Sequence, residues 1–271
     1  MTFTHALILR IPDQIRLEKK IKAEIPLLQK QQEGLAETLR ESGRVDVIYI
    51  DVPEGISSEF FNVDDTAVVI NGTALMCQPR NPGALYFEIK TVLTDICWTL
   101  HECPEQYNGK KVYLEGSDVL FTGKEIFVGI RKHGTNMEGA MFLAKIFCDL
   151  NVIPIQLGDK AGPLKSYVSM ASNNILSIGV GKEAQQILKK MEQEATFQYQ
   201  VIKIEEEDCV NCLFVNGRII FRKDKNEPKF VSLQSAGVEL WALDVSELVK
   251  IGTPFSRYCL LFKEIRTSRA K

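Results

Sequence analysis

The sequence predicts an α/β propeller, in which five ββαβ units close into a ring around one axis. Two observations predict it: a hairpin signal recurs along the chain, and the same kinds of element follow each hairpin. The hairpin segments are DDTAVVINGTALMC (64–77), SDVLFTGKEIFVG (117–129), VSMASNNILSIG (168–179) and CVNCLFVNGRIIFR (209–222). Their turns fall at nearly regular steps, at Gly72, Gly123, Asn174 and Gly217. Asn and Gly supply the positive φ that two-residue hairpin turns require.

The segments after the hairpins complete each unit. Helix-like spacing of apolar residues covers 83–100, 135–150 and 181–195. Short apolar strands are predicted to follow these helices at 111–114, 152–157 and 199–204. After the fourth hairpin the helical pattern is weak, but 238–245 is a clear strand pattern.

The two ends of the chain supply a fifth unit. The segment 257–265 is predicted to pair with 5–11, followed by a helix over 26–42 and a strand over 45–52. Closing five units into a ring removes the open strand edges. We therefore expect one α/β-propeller domain over 1–271, with the last few residues as a disordered tail. An open α/β sheet is the alternative, which the hairpins argue against.

Composition sets limits on function. The chain has 271 residues, a net charge of −2, 45% hydrophobic and 25% charged residues. With a net charge this small, the chain has no overall electrostatic field that would attract nucleic acid or anionic lipid. No apolar run approaches the roughly 20 residues that span a bilayer, and the first residues lack the features of a signal peptide. We therefore expect a cytoplasmic protein with no nucleic-acid or membrane partner.

The seven cysteines form no disulfide-like pattern, which favours reduced thiols. Cys209 and Cys212 form a single CxxC pair. Zinc needs four ligands, and no second pair stands at suitable spacing. We predict buried strand cysteines here, and neither a metal nor a cofactor.

Polar residues open the first strand of every predicted hairpin. They are Asp64 and Asp65, Glu115 to Asp118, Ser166 to Ser169, Asp208 and Cys209, and Ser256 and Arg257. If these strands surround the axis, their starts converge and the acids line a central pocket. The alternative is that the acids satisfy backbone groups of turns or face solvent.

Several segments resemble the dimethylarginine dimethylaminohydrolase family of guanidino-modifying enzymes. They are THALILRIP, VDDTAVVINGTALM, LEGSDVLFTGKEIFVGI, PLKSYVSM and SELVKIG, within a resemblance that runs from about Thr4 to Phe262. The resemblance implies the pseudo-fivefold α/β propeller. It also implies hydrolysis of methylated arginine to citrulline and a methylamine, in which a Cys thiolate attacks the guanidinium carbon and a His acts as acid and base.

The resemblance carries over unevenly to this chain. The guanidinium-binding acids correspond to Asp64, Asp65 and Glu115. The catalytic His position is occupied by Pro163, and the ungapped match to the catalytic Cys is Arg257.

Positions around the implied pocket also differ from the family. The arginines that hold the substrate carboxylate fall near Leu85 and His133, and an expected Asp is Gly252. Ile11 and Glu59 are further predicted pocket positions.

These losses predict a catalytically inactive relative with a ligand-sensing or regulatory role. We further hypothesise that Arg257 pairs with Asp64, Asp65 or Glu115 and so mimics a bound guanidinium. The alternative for Arg257 is the outer face of its strand. The expected partners are a small guanidino or amino-acid ligand or another protein, and the resemblance implies arginine and nitric-oxide metabolism.

An active hydrolase is the alternative function. Cys259 lies two residues beyond Arg257, on the same face if the segment is a strand. A neighbouring cation would lower the pKa of its thiol. His133 would have to supply the base from a loop.

Overall fold

The computed structural model describes residues 2–41, 43–81, 85–223 and 229–265. This part of the chain contains five three-stranded sheets, and each has one antiparallel and one parallel pairing. In the order in which their strands are hydrogen-bonded, they are sheet 1 (Leu260–Phe262, His5–Arg10, Asp46–Asp51), sheet 2 (Ala67–Ile70, Thr73–Met76, Thr99–Glu102), sheet 3 (Val119–Phe121, Glu125–Ile130, Asn151–Gln156), sheet 4 (Val168–Ser172, Ile175–Gly179, Gln200–Ile204) and sheet 5 (Cys212–Val215, Arg218–Arg222, Glu239–Leu243).

Helices link the second and third strands of four sheets. They are Ile25–Glu41, Tyr86–Ile96, Met137–Ile146 and Lys182–Glu194. In sheet 5 the 3-10 helix Lys229–Ala236 takes this place, and a short helix Leu248–Ile251 follows later. Parallel strands need such a crossover connection. Among the described residues, no helix has the length and apolar character needed to cross a membrane.

The predicted hairpin turns are confirmed. Asn71, Gly72, Gly123 and Asn174 all have positive φ, as do Asn216 and Gly217. The predicted pairing of the chain ends is present as well, with His5 opposite Phe262 and Leu7 opposite Leu260. The predicted terminal tail lies mostly outside the described residues.

The prediction that 111–114 is the third strand of sheet 2 is wrong. That strand is Thr99–Glu102, with Thr99 opposite Thr73. It follows directly on the helix that ends at Ile96, and its residues are only partly buried or exposed. A half-exposed edge strand shows little alternation of apolar and polar residues, so the more apolar segment 111–114 was predicted in its place.

Two smaller sheets and several 3-10 helices complete the described fold. The sheets pair Ile15–Arg16 with Ile56–Ser57 and Gln106–Tyr107 with Lys110–Lys111. A 3-10 turn of three or four residues precedes the first strand of every three-stranded sheet. We call these five segments the inner turns: Val63–Asp65, Gly116–Asp118, Leu164–Ser166, Glu207–Cys209 and Phe255–Tyr258.

Candidate functional site

Hydrogen bonds join the inner turns, or the residues next to them, in a closed cycle. In order, the five bonds join the turn regions of sheets 2 and 3, 3 and 4, 4 and 5, 5 and 1, and 1 and 2. They run from Ser117 N to Asp65 Oδ1 (3.0 Å), from Leu164 N to Asp118 Oδ1 (3.1 Å), from Asn211 Nδ2 to the Lys165 carbonyl (3.1 Å), from Ser256 N to Asn211 Oδ1 (3.0 Å) and from Arg257 Nε to Asp65 Oδ2 (2.9 Å). The polar starts of the five first strands therefore lie together.

A cavity of about 300 Å³ opens beside this cycle, and we call it the polar cavity. Seven of the residues singled out in the sequence line it, namely Glu59, Asp65, Glu115, His133, Pro163, Gly252 and Arg257. Asn62, Thr66, Asn81 and Arg131 add further polar groups. The cavity is large enough for a small ligand with several polar groups.

Arg257 fills the predicted role of a partner for one of the acids. Its Nε and Nη2 both donate to Oδ2 of Asp65, and its Nη1 donates to the Thr253 carbonyl at 3.2 Å. Burial acts to raise the pKa of the Asp65 carboxyl, but Arg257 and the hydrogen bonds from Ser117 hold that pKa below its ordinary value. The pair is therefore ionic, and Arg257 does not lie on an outer strand face.

Arg131 pairs with two other acids, and sequence reasoning missed it. Its Nε donates to both oxygens of Asp118 at 3.0 Å, and its Nη2 donates to Glu115. Its Nη1 donates to the carbonyl of His133 at 3.1 Å. Only 9% of the Arg131 side chain is exposed. The sequence signal was slight, since Arg131 is one basic residue directly after a fully buried strand.

Lys165 pairs with the remaining acid of the cluster. Its Nζ donates to Oδ2 of Asp64 at 2.7 Å. Burial raises the pKa of the Asp64 carboxyl, and Lys165 offsets this only in part. Asp64, Asp65 and Glu115 thus each have a cationic partner from the chain itself.

Three predicted pocket positions are not among the residues that line the polar cavity. Asp64 lines a separate cavity instead. Ile11 is buried in the hydrophobic core, where its N–H donates to Gln32 Oε1 at 3.0 Å. Leu85 is buried in the same core, directly before the helix Tyr86–Ile96.

Cys259 does not share a strand face with Arg257. Arg257 lies in the inner turn Phe255–Tyr258, and the last strand covers only Leu260–Phe262, so the predicted strand over 257–265 is too long at both ends. The Cys259 thiol is buried, and its Sγ donates to the Ser256 carbonyl at 3.8 Å. Burial raises the pKa of this thiol to about 12, which is the opposite of the predicted lowering by Arg257.

His133 lines the polar cavity from an exposed loop position. Among the described residues, no group of three or more His, Cys, Asp or Glu side chains is placed to hold a metal ion. Cys212 of the CxxC pair is buried in a strand of sheet 5, and Cys209 is partly buried in an inner turn.

Relatives cover nearly the whole chain. DDAH2 of Bos taurus is 26% identical over 278 residues, which cover 95% of this chain and 94% of the relative. DDAH2 of Homo sapiens is 26% identical over 285 residues, with the same coverage of both chains. No protein-family model matches the sequence.

Solved structures share the fold. The dimethylarginine dimethylaminohydrolase of Pseudomonas aeruginosa, as a Cys-to-Ser variant complexed with citrulline, has a TM-score of 0.75 at 19% identity and covers 97% of this chain and 100% of its own. An adduct of a dimethylarginine dimethylaminohydrolase with S-methyl-L-thiocitrulline has a TM-score of 0.78 at 20% identity, with coverage of 96% and 100%. The chain therefore has the mixed α/β fold of these proteins and resembles the dimethylarginine dimethylaminohydrolases as a divergent relative.

Proposed function

We propose that this chain is a dimethylarginine dimethylaminohydrolase-like protein without hydrolytic activity, and that it has a ligand-sensing or regulatory role. One observation carries the proposal. The guanidinium of Arg257 is paired with Asp65, an acid that the resemblance assigns to binding of the substrate guanidinium. The chain itself thus supplies the group that such a pocket would otherwise receive from a substrate.

The chemistry implied by the resemblance needs a thiolate and an imidazole beside the guanidinium carbon. Here Pro163 and Arg257 stand at those two positions and both line the polar cavity. No cysteine is among the described residues that line it, and Cys259 lines a different cavity. The imidazole of His133 would have no nucleophile to activate.

Electrostatics adds a barrier to a cationic substrate. Two like charges 4 Å apart repel by about 1 kcal/mol in water and about 4 kcal/mol near a protein surface. A substrate guanidinium beside Asp65 would meet Arg257, and beside Glu115 it would meet Arg131. Arginine and methylarginine should therefore bind poorly.

The proposed scaffold is a pseudo-fivefold propeller formed by one domain over 1–271. Five sheets of the same topology and the closed cycle of bonds between the inner turns support it. The cysteines of the described chain form no disulfide, which is compatible with a reducing, cytoplasmic location.

A direct assay tests the proposal. The purified chain is incubated with dimethylarginine and with arginine, and citrulline is measured beside the Pseudomonas aeruginosa enzyme as positive control. We expect no citrulline above the protein-free rate. Turnover that disappears in Cys259→Ala would establish the alternative hydrolase and end the proposal.

The sensing role has its own measurement. A thermal-shift screen of amino acids and guanidino compounds would detect a ligand of the polar cavity, because a ligand that binds only the folded state raises its stability. A saturable shift that is lost in Arg257→Met supports a sensor. No shift with any compound points to a protein partner instead.

A further inference from the structure

A second cavity lies against the other side of the cycle of inner turns, and we call it the apolar cavity. Neighbouring residues face different cavities at two of these turns. Asp64 and Ser256 line the apolar cavity, whereas Asp65 and Arg257 line the polar cavity. The polar residues of the inner turns therefore separate the two spaces.

The walls of the apolar cavity come from all five sheets. The first strand of each sheet contributes apolar side chains, and one example from each, in order from sheet 1 to sheet 5, is Leu261, Val69, Phe121, Met170 and Phe214. The volume is about 150 Å³. A protein cavity of about this size holds a benzene molecule when its walls are apolar.

The floor of the apolar cavity is polar and has no net charge. Lys165 and Asp64 form an ion pair there, with 20% and 11% of their side chains exposed. Asn211 is 4% exposed and donates from Nδ2 to the Ser256 Oγ at 3.0 Å. Because that oxygen accepts, the Ser256 hydroxyl hydrogen is available to another acceptor.

We propose that the apolar cavity binds a small neutral amphiphile, with an amide or hydroxyl head group on the floor and a short aliphatic chain or a single aromatic ring between the five strands. The head group accepts a hydrogen bond from the Lys165 ammonium and donates one to the Asp64 carboxylate. A tail of about four carbons matches a space of this size.

Charge on the head group opposes binding. A carboxylate near Lys165 is also near Asp64, and an ammonium near Asp64 is also near Lys165. Either ion would add a net charge beside mostly apolar walls, where it loses part of its hydration. The floor therefore selects neutral head groups that both donate and accept hydrogen bonds.

Four probes of equal chain length test the selection: butanamide, butan-1-ol, butyrate and butylamine. Methyl NMR of the wild-type protein reports the position, because Met170 lines the apolar cavity and Met141 is 44% exposed on the helix Met137–Ile146. We expect the two neutral probes to shift the Met170 methyl resonance saturably and to leave that of Met141 in place. Their affinity should exceed that of either charged probe by about tenfold.

Two variants of one wall residue locate the site. Leu261→Trp fills the space and should abolish the Met170 shift, whereas Leu261→Met conserves side-chain volume and should retain it. Three results would overturn the proposal: no saturable shift at Met170, equal affinity for a charged probe, or unchanged binding in a folded Leu261→Trp. If Leu261→Trp does not fold, the wild-type comparison of Met170 with Met141 still decides.

Discussion

Arg257 donates from Nε to Oδ2 of Asp65 across 2.9 Å, although the two residues are 192 positions apart in the chain. The bond joins the inner turn before sheet 1 to the one before sheet 2. It also places a guanidinium at the edge of the polar cavity, with 16% of the Arg257 side chain exposed. One ion pair thus closes the cycle of inner turns and places a guanidinium against Asp65, an acid that the resemblance predicts to bind one.

Removing Arg257 should destabilise the fold because it leaves the buried Asp65 carboxylate unpaired. Truncating one partner of a buried ion pair typically costs about 3–5 kcal/mol. We expect Arg257→Met to lower the free energy of unfolding by about this amount, measured by urea denaturation. The double variant Asp65→Asn with Arg257→Met removes both charges and should recover most of the loss. Equal instability of the single and double variants would show that the charge pair is not the cause.

The stability of the chain should fall as the pH rises through the titration of Glu115. Burial raises the pKa of Glu115 to about 7, Asp65 adds to the rise, and Arg131 offsets part of it. Since the folded-state pKa lies above the unfolded value of 4.5, the folded state retains a proton that the unfolded state has released. The expected loss is about 3 kcal/mol between pH values of about 4.5 and 7, at 1.36 kcal/mol per pH unit.

Glu115→Gln tests this, because a neutral amide cannot titrate. Its unfolding free energy, measured by urea denaturation across the same pH range, should lack this decline. The matched control is Glu59→Gln, since Glu59 is an exposed acid that lines the same cavity. If the unfolding free energy of Glu115→Gln declines with pH as in the wild type, another group causes the decline.

Local signals in the sequence predicted the strands and turns well. The hairpin turns follow from Asn and Gly residues that accept positive φ at low cost, as at Asn71 and Gly72. The edge strand Thr99–Glu102 and the inner turns escaped detection for a common reason. Both are short, and their polar residues carry no apolar period for a sequence to display.

The charged partners of the site could be predicted only in part. The resemblance led to Arg257 and the acids, because it linked positions far apart in the chain. Lys165 and Arg131 belong to the site only because the inner turns bring distant segments together, and their immediate sequence neighbours do not indicate it. Such long-range pairing depends on tertiary contact rather than on local pattern.

Cys259 should resist alkylation in the folded protein. Cys259 is 2% exposed, and burial raises the pKa of its thiol to about 12, so the reactive thiolate is scarce. Cys148 is exposed and serves as the internal control. Mass spectrometry after iodoacetamide treatment should show a modified Cys148 and an unmodified Cys259. Rapid labelling of Cys259 in the native state would contradict this prediction and make Cys259 a candidate nucleophile again.

Gly116 should not tolerate a side chain. A Cβ at this position would meet the backbone carbonyl of Asp64, which belongs to the neighbouring inner turn. We expect Gly116→Ala to cost about 1–3 kcal/mol of unfolding free energy. Gly34→Ala is the control, since it lies inside the helix Ile25–Glu41 with only ordinary contact to Leu243, and it should stabilise by about 0.5–1 kcal/mol. A neutral Gly116→Ala would mean that the two turns can separate without loss.

Asn211 should be the most sensitive uncharged residue of the cycle. Its Nδ2 lies within hydrogen-bonding distance of the Lys165 carbonyl and of Ser256 Oγ, while its Oδ1 accepts from Ser256 N. Asn211→Ala leaves the buried Ser256 N–H without this acceptor, and each such group costs about 1–3 kcal/mol. We therefore expect a loss of about 2–4 kcal/mol in urea unfolding, because donor and acceptor contacts disappear together. Asn151→Ala removes one exposed bond to Thr196 and should change stability by less than about 0.5 kcal/mol. If the two variants lose equal stability, the bonds of Asn211 do not hold the inner turns together.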